Sequence, residues 1–179
     1  DPNNTKGLEG DKKYFFEKVN LCNLSQLLEV FIKHDITHVV HMAAESHVDN
    51  SISDPSTFVD SNIVGTFNLL KVARQLDIKR LHHVSTDEVY GDLGKTGKFS
   101  ESSPYNPHNP YSASKASSDF LVRSYHHTYG LPITISNCSN NYGPYQHKEK
   151  FIPTVINSIL GKKKIPVYGE GTNIRDWIY

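Results

Sequence analysis

The chain has 179 residues, and its 19 basic and 19 acidic side chains leave no net charge at pH 7. This length allows one domain with a sizeable core, and the balanced charge, without a basic stripe, gives no electrostatic support for a nucleic-acid surface. The two cysteines, Cys22 and Cys138, are far apart and outside any Cys-x-x-Cys, so neither a disulfide scaffold nor a zinc site is predicted.

The hydropathy pattern indicates neither a membrane span nor a secretion signal. No apolar run approaches the ~20 residues that cross a bilayer, and no signal peptide opens the chain. We therefore expect a cytoplasmic protein with no membrane partner. The chain also opens on a loop-like polar segment without an initiating methionine, which favours a piece from the middle of a longer protein.

The chain in order predicts strands that alternate with helices. Residues 1–13 are polar and are predicted as loop. Asn23 with Gln26 then resembles a capping box at a helix start, and Asp54-Pro55 combines a cap residue with a proline at the first helical position. This alternation indicates an α/β fold with a parallel sheet. The predicted strands are residues 14–19, 37–43, 81–85 and 133–136, and the later helices are residues 111–129 and 151–160.

Two helices show an apolar face at helical spacing, which predicts that they pack against the sheet. A glycine follows each of the last two helices, at Gly130 and Gly161, as is common at helix ends. The apolar positions are Leu24, Leu27, Leu28, Phe31 and Ile32 in the first helix, and Val59, Ile63, Phe67, Leu70, Ala73 and Leu76 in the second.

The segment from Leu81 to Lys115 carries the candidate chemistry. Its strand ends in Thr86-Asp87-Glu88, and in open α/β sheets ligands bind beyond the carboxyl ends of the strands. Tyr111 and Lys115 are four residues apart, so they share one face of the helix that follows. We therefore expect these five side chains to lie around one ligand.

Tyrosine needs help to act as a base at neutral pH, because its unperturbed pKa is about 10. A neighbouring ammonium favours the phenolate and lowers that pKa. Tyr111 is therefore predicted as an acid/base for a hydroxyl proton, with Lys115 lowering the pKa of its phenol. Taken alone, a Tyr-x-x-x-Lys spacing is weak, and the polar strand end upstream strengthens it.

Three motifs together resemble a known family. They are Ser85-Thr-Asp-Glu-Val-Tyr-Gly91, Pro110-Tyr-Ser-Ala-Ser-Lys-Ala116 and Asn137-Cys-Ser-Asn-Asn-Tyr-Gly-Pro144. In this combination they are similar to the extended short-chain dehydrogenase/reductase superfamily, and within it to the dTDP-glucose 4,6-dehydratases. The resemblance covers residues 20–179. It implies a Rossmann-like doubly wound parallel sheet that is incomplete here, since the first strand–helix unit with the phosphate-binding turn is absent.

The resemblance also implies a redox-neutral dehydration of a nucleotide-diphosphate hexose with NAD as cofactor. Tyr111 takes the 4-hydroxyl proton, which Thr86 orients, while hydride leaves C4. Glu88 then removes the C5 proton, Asp87 assists loss of water from C6, and hydride returns to C6. The product is a 4-keto-6-deoxy sugar, and the protein would be a hydro-lyase.

By the same resemblance, further residues are assigned to the cofactor and the substrate. Asn20 stands where relatives usually carry an aspartate that bonds the adenine, and Ser61 at a position that is often threonine. The implied cofactor-binding residues are Asn20, Leu21, Met42, Ala43, Ala44, Ser46, Ser61, Tyr111, Lys115 and Asn141. The implied substrate-binding residues are Ser46, Thr86, Asn140, Lys150, Phe151, Pro166, Val167, Tyr168 and Arg175.

Other interpretations of the chain remain open or weak. A nucleotide-sugar epimerase or decarboxylase of the same superfamily is the alternative, although such relatives generally lack the Asp87-Glu88 pair. A scaffold without activity is a further alternative. The spacing of Gly91, Gly94 and Gly97 resembles a dinucleotide-binding turn, but no helix opens after it, so loop is predicted. No His-Glu-x-x-His exists among the ten histidines, and no metal is assigned.

The resemblance finally implies an assembly and a domain layout. The helices over residues 55–76 and 111–129 correspond to the pair that forms a four-helix dimer contact in relatives, so a homodimer is predicted. Residues 1–179 are predicted as part of one NAD-binding Rossmann-like domain, in which the substrate-binding region starts near residue 142.

Overall fold

Three parallel strands form the central sheet of the computed structural model, which describes residues 2–94, 96–167 and 169–179. They are β1 (His38–His41), β2 (Arg80–Thr86) and β3 (Ile133–Cys138), in the order β1-β2-β3. Leu81 pairs with Val39 on one side and with Ile133 on the other. The predicted α/β fold with a parallel sheet is confirmed.

The described chain divides into two compact units. The larger unit is Glu17–Cys138, and the smaller one joins the residues up to Phe16 with Ser139–Tyr179. Among the described residues, no helix has both the length and the apolar character to cross a membrane. The predicted start of a substrate-binding region near residue 142 stays a prediction.

Helices connect the strands of the larger unit. A π-helical segment, Val59–Val64, lies directly before α4, and a 3-10 helix, Asp87–Tyr90, directly follows β2. The α-helices are α1 (Leu24–Lys33), α2 (Val48–Ser53), α3 (Ser56–Phe58), α4 (Gly65–Gln75) and α5 (Pro110–Tyr129). The smaller unit contains a 3-10 helix (Pro2–Leu8), α6 (Phe151–Leu160) and a parallel pair of short strands, β4 (Asn140–Asn141) and β5 (Trp177–Ile178).

Local sequence signals account for several helix ends. The Asn23 side chain accepts a hydrogen bond from the backbone N–H of Gln26, at 3.2 Å, which confirms the predicted cap of α1. At the start of α5, the side chain of Asn109 and that of Ser112 each accept from the other's backbone N–H, at 2.8 and 3.1 Å. Gly130 ends α5 in the left-handed region, with φ of 72°.

The apolar core of the larger unit lies between the sheet and the helices. Leu81 of β2, Leu70 of α4 and Val122 of α5 are fully buried. Burial of such side chains contributes roughly 1.5–3 kcal/mol each. Around them pack further buried side chains, namely Leu27, Phe31, Leu69, Val72, Ala73, Ile78, Tyr125 and Leu131.

The predicted apolar stripe before and within α4 is only partly correct. Leu70 and Ala73 are fully buried, but Val59 is 47% and Phe67 40% exposed. The π-helical segment inserts an extra residue into the turn, which rotates the following side chains by about 100° relative to an α-helical stripe. In α1, Ile32 of the predicted stripe is also exposed.

Two predictions near the start of the chain are wrong. The segment over residues 14–19 has no strand structure, because no described strand pairs with it and a strand needs a ladder of hydrogen bonds. Within the region predicted as loop, Pro2–Leu8 form a 3-10 helix. The loop predicted for Gly91, Gly94 and Gly97 is confirmed over the described residues.

Candidate functional site

The carboxyl end of β2 leads directly into a 3-10 helix that carries both candidate acids. Thr86 is the last residue of β2, and its hydroxyl accepts a hydrogen bond from the backbone N–H of Glu88 at 3.2 Å. The same hydroxyl donates to the Asp87 carboxylate at 3.3 Å. The tight turn therefore brings Thr86, Asp87 and Glu88 together, which an extended strand would not do because its neighbouring side chains alternate.

Tyr111 reaches this cluster from the first turn of α5. Its phenol shares a hydrogen bond with Thr86, and the charges of Glu88 and Asp87 act on it. Burial, followed by the negative charge of Glu88, raises the pKa of Tyr111 to about 12. The ring of Phe58 lies edge-on, with 6.3 Å between the ring centroids. The predicted convergence of Tyr111 on the acids is therefore present in the structure.

The pKa of Tyr111 is raised overall in this structure, and the predicted lowering by Lys115 stays a prediction. The Lys115 ammonium is turned towards the sheet, where it donates a hydrogen bond to the Val84 carbonyl at 2.8 Å. Its side chain is buried, and this burial lowers the pKa of Lys115, while the negative charge of Asp119 opposes the effect. Lys115 thus ties α5 to β2 beside the site.

Asn109 is a site residue that sequence reasoning missed. Its side chain caps α5 and also donates a hydrogen bond to the Glu88 carboxylate at 3.4 Å. It therefore joins the helix start that carries Tyr111 to the 3-10 helix that carries Glu88. An asparagine directly before Pro110 was a readable capping signal, but the contact with Glu88 needs the tertiary structure.

The loop after β1 contains four of the residues assigned to the cofactor. Met42, Ala43 and Ser46 are exposed, and Ala44 is half-buried. Small side chains at this position leave the backbone open to a ligand.

A second missed residue, Asn62, fixes this loop. Its amide accepts from the backbone N–H of Glu45 at 2.8 Å and donates to the Glu45 carbonyl at 3.0 Å. It also donates to the Ser114 hydroxyl on α5, at 2.8 Å. Asn62 is fully buried in the π-helical segment, a type of irregularity that is frequent at functional sites. Its only sequence signal was an amide among apolar residues.

The remaining cofactor candidates of the larger unit lie near two open grooves. Asn20 borders a groove of about 740 Å³, and Leu21, Met42 and Ala43 border one of about 330 Å³. The side-chain oxygen of Asn20 accepts from the backbone N–H of Cys22 at 2.9 Å, which leaves its second lone pair for another donor. Ser61 is half-buried in the π-helical segment. Tyr111 lines neither groove.

The candidates in the smaller unit stay predictions. Asn140 and Asn141 form β4, which pairs with Trp177–Ile178. Phe151 opens α6, and its ring centroid is 6.0 Å from that of Trp177. Tyr168 lies outside the described residues. The others are Lys150, which is partly buried before α6, and Pro166, Val167 and Arg175, which are exposed.

Comparisons with known proteins agree on one family. The family profile described as GDP-mannose 4,6 dehydratase matches residues 3–179. The dTDP-glucose 4,6-dehydratase of Neisseria meningitidis is 53% identical over 93% of this chain and 50% of its own. The chain thus spans about half the length of such relatives. These matches confirm the resemblance that the three sequence motifs indicated.

Solved structures give the same result. The dTDP-glucose 4,6-dehydratase of Streptomyces venezuelae, solved with NAD and TYD bound, superposes with a TM-score of 0.95 at 43% identity, over 99% of this chain and 54% of that one. The UDP-glucuronic acid 4-epimerase of Bacillus cereus, in complex with UDP-glucuronic acid and NAD, has a TM-score of 0.91 but 31% identity, over 99% and 55%. The epimerase is therefore the more distant relative.

Proposed function

Since the chain belongs to the GDP-mannose 4,6 dehydratase family, we propose that the protein containing it is an NAD-dependent hydro-lyase acting on dTDP-glucose. The product is the 4-keto-6-deoxy sugar. The observation that carries the proposal is that the Thr86 hydroxyl contacts both the Asp87 carboxylate and the Tyr111 phenol. The charge of Glu88 acts on the same phenol. The names and identities of the relatives support the choice of substrate.

The three side chains divide the proton transfers among them. Tyr111 would take the proton of the sugar 4-hydroxyl as a phenolate, which the positive charge of the bound cofactor would favour against the burial that raises its pKa. Thr86, which is hydrogen-bonded to the phenol, orients the 4-hydroxyl. Glu88 removes the C5 proton, which the 4-ketone has made acidic. Asp87 then gives a proton to the departing C6 hydroxyl, so that the two carboxyl groups act in opposite directions.

The cofactor assignment rests on residues that fit a dinucleotide. When bound, NAD⁺ would supply the hydride chemistry, which is removal of hydride from C4 and its return to C6. The exposed loop at Met42–Ala43 and the groove beside Leu21 leave room for such a molecule. The residues that would hold it are Asn20, Leu21, Met42, Ala43, Ala44, Ser46, Ser61, Tyr111, Lys115 and Asn141.

The substrate assignment follows the family resemblance residue by residue. Ser46 and Thr86 are proposed at the sugar. Arg175 suits a diphosphate, because its planar guanidinium donates two parallel hydrogen bonds. The other proposed substrate residues are Asn140, Lys150, Phe151, Pro166, Val167 and Tyr168.

The Glu88→Gln variant tests the division of roles. It removes the C5 base and leaves Tyr111 and Thr86 in place, so we expect water loss to stop while C4 oxidation continues. The full-length protein is incubated with NAD⁺ and dTDP-glucose, and reduced cofactor is followed by absorbance. Trapped absorbance without a dehydrated product is the expected result. The matched control, Glu101→Gln, changes an exposed acid outside the site and keeps full activity.

Three other outcomes contradict the proposal. Unchanged dehydration by Glu88→Gln excludes Glu88 as the base. Inversion at C4 without water loss in the wild-type protein identifies an epimerase. If the wild-type protein binds neither NAD⁺ nor the nucleotide sugar, the result supports the alternative of a scaffold without activity.

A homodimer and a cytoplasmic location belong to the same proposal. Phe67 of α4 and Phe120 of α5 are 40% and 58% exposed, and these are the helices that the family resemblance assigns to the dimer contact. We expect light scattering on the full-length protein to give the mass of two chains. The Phe120→Glu variant should shift it towards one chain, whereas Phe15→Glu, an exposed phenylalanine outside those helices, should not. Cell fractionation tests the location.

A further inference from the structure

A buried cluster of polar side chains lies directly beneath the candidate site, and Asp119 is at its centre. Asp119 is located on α5, one turn after Lys115, and is fully buried. One carboxylate oxygen, Oδ2, accepts hydrogen bonds from the Ser85 hydroxyl at 2.7 Å and the Tyr105 hydroxyl at 2.8 Å. The Asn137 amide donates to the same atom at 3.4 Å. A fully buried carboxyl group with three donors is a strongly constrained feature of the fold.

The hydrogen bonds around Asp119 have a defined direction. The Tyr105 hydroxyl already accepts from the Arg123 guanidinium at 3.0 Å, so its own proton points to Asp119. Burial, followed by the hydrogen bond to Asp119, raises the pKa of Tyr105 to about 12, which keeps that proton in place. An oxygen that receives three donors acts only as an acceptor.

Two buried basic side chains are candidates for a charge partner of this carboxyl group. His83 Nε2 lies 3.1 Å from the second oxygen, Oδ1, without the alignment of a hydrogen bond. Burial lowers the pKa of His83 despite the opposing effect of Asp119, so the imidazole is neutral at pH 7. Lys115 is the other candidate, and Asp119 is the largest influence that opposes the effect of burial on its pKa.

The surroundings of Lys115 make the neighbouring carboxyl group more important. His41 of β1 and His83 of β2 are coupled electrostatically to Lys115, and any positive charge on them would disfavour its ammonium form. Cys138 of β3 acts in the same direction as Asp119, after it in size. A buried ammonium without a compensating charge is strongly unfavourable.

The same carboxylate also connects the parts of the site. Ser85 directly precedes Thr86, and Tyr105 belongs to the loop that leads into α5. Asn137 of β3 bonds both to Asp119 and, at 3.3 Å, to the Thr86 carbonyl. Asp119 is thus hydrogen-bonded to the end of β2, to this loop and to β3, and it lies on the helix that carries Tyr111.

We propose that Asp119 is a positioning residue of the candidate site, which holds the Thr86 end of β2 against α5 and serves as the buried counter-charge of Lys115. The part that Lys115 plays in turnover rests on the proposed function, whereas its charge state does not. Asp119 is fully buried and acts through these two residues.

The test measures the titration of Lys115 in the full-length protein. Lysine labelled with ¹³C at Cε is followed by NMR against pH, and the Lys115 signal is assigned by its loss in Lys115→Arg. We expect Asp119→Asn to move the midpoint to lower pH. The matched control, Tyr105→Phe, removes one donor but keeps the charge, and we expect it to move the midpoint far less. Equal midpoints in wild-type protein and folded Asp119→Asn overturn the proposal.

A second measurement uses only the wild-type protein, so it does not depend on whether a variant folds. In the wild-type protein, the ¹³Cγ shift of Asp119 at neutral pH is expected at the value of a carboxylate. The value of a protonated carboxylic acid there overturns the proposal.

The functional consequence is measured separately. We expect the alkaline limb of the pH–rate profile to move to lower pH in Asp119→Asn, with partial rescue in Asp119→Glu. If the wild-type protein binds no NAD⁺, the proposed function is contradicted but the proposal for Asp119 is not. The titration of Lys115 is measured without NAD⁺ and tests Asp119 independently.

Discussion

The two halves of α5 and β2 pack in different ways, although they belong to the same elements. Leu81 at the start of β2 and Val122 in the second half of α5 are fully buried among apolar side chains. Thr86 at the end of β2, with Lys115 and Asp119 in the first half of α5, is buried among hydrogen-bonding groups. The apolar half stabilises the fold through area removed from water, while the polar half depends on particular partners. Substitutions in the two halves should therefore affect different properties.

The largest expected effect comes from the polar half. Tyr111→Phe removes the phenolic hydroxyl but keeps the ring against Phe58, so we expect dehydration to slow by about 10²–10⁴-fold, the usual contribution of an acid/base group. Steady-state rates on dTDP-glucose measure this. The matched control, Tyr125→Phe, makes the same change in the apolar half, where it should leave the rate unchanged. Comparable rates for the wild-type protein and Tyr111→Phe would contradict the proposed role of Tyr111 as an acid/base.

A substitution in the apolar half should separate stability from chemistry. Leu81→Ala opens a cavity at a fully buried position, and we expect a loss of about 2–5 kcal/mol in the free energy of unfolding. The rate per folded molecule should stay the same. Urea denaturation of the full-length protein measures the loss. The control, Ile32→Ala, changes an exposed residue of α1 and should lower the free energy of unfolding by less than about 0.5 kcal/mol. A loss as large as that of Leu81→Ala would contradict the expected difference between buried and exposed positions.

The smallest expected effect is a change in stability with pH, which comes from a histidine at the boundary between the two halves. His41 of β1 is buried, with its ring centroid 5.1 Å from that of His83. Burial, followed by the charges of His83 and Lys115, lowers the pKa of His41 from 6.5 to about 3. The unfolded chain therefore binds a proton more readily than the folded one, and stability falls as pH drops from 6.5 towards 3.

The size of this pH effect follows from the same pKa values. Between pH 7 and pH 5, His41 alone should lower the free energy of unfolding by about 2 kcal/mol. Urea denaturation at both pH values measures the decline, which we expect to be smaller by that amount in His41→Gln. The control, His38→Gln, changes an exposed histidine of the same strand and should retain the wild-type decline. An equal decline in His41→Gln would contradict a buried neutral imidazole.

Most elements could be predicted because their signals are local. Asn23 as a cap, Gly130 as a helix end and the apolar run at β2 each depend on neighbours within a few residues. The strand predicted over residues 14–19 failed because a strand is defined by its pairing partner and not by its own composition. The apolar stripe failed at Val59 and Phe67 because the π-helical segment changes the period in the middle of the helix.

The candidate site divides in the same manner. Tyr111, Asp87 and Glu88 could be named from motifs and from the general position of ligands at strand ends. Asn62 and Asn109 could not be named, because their partners, Glu45 and Glu88, are 17 and 21 residues away in sequence. The family and its candidate acid/base groups could thus be predicted from the sequence alone.

The sequence by itself determined the parallel α/β architecture, the family and the residue types of the candidate site, because periodicity, caps and motifs are properties of short segments. Only the tertiary structure decided the charges. Packing α5 on β2 buries Tyr111, which raises its pKa, and directs the Lys115 ammonium to Val84 and Asp119 below a cluster of hydrogen bonds. Burial and the distance between charges depend on the whole fold, and no local pattern encodes them.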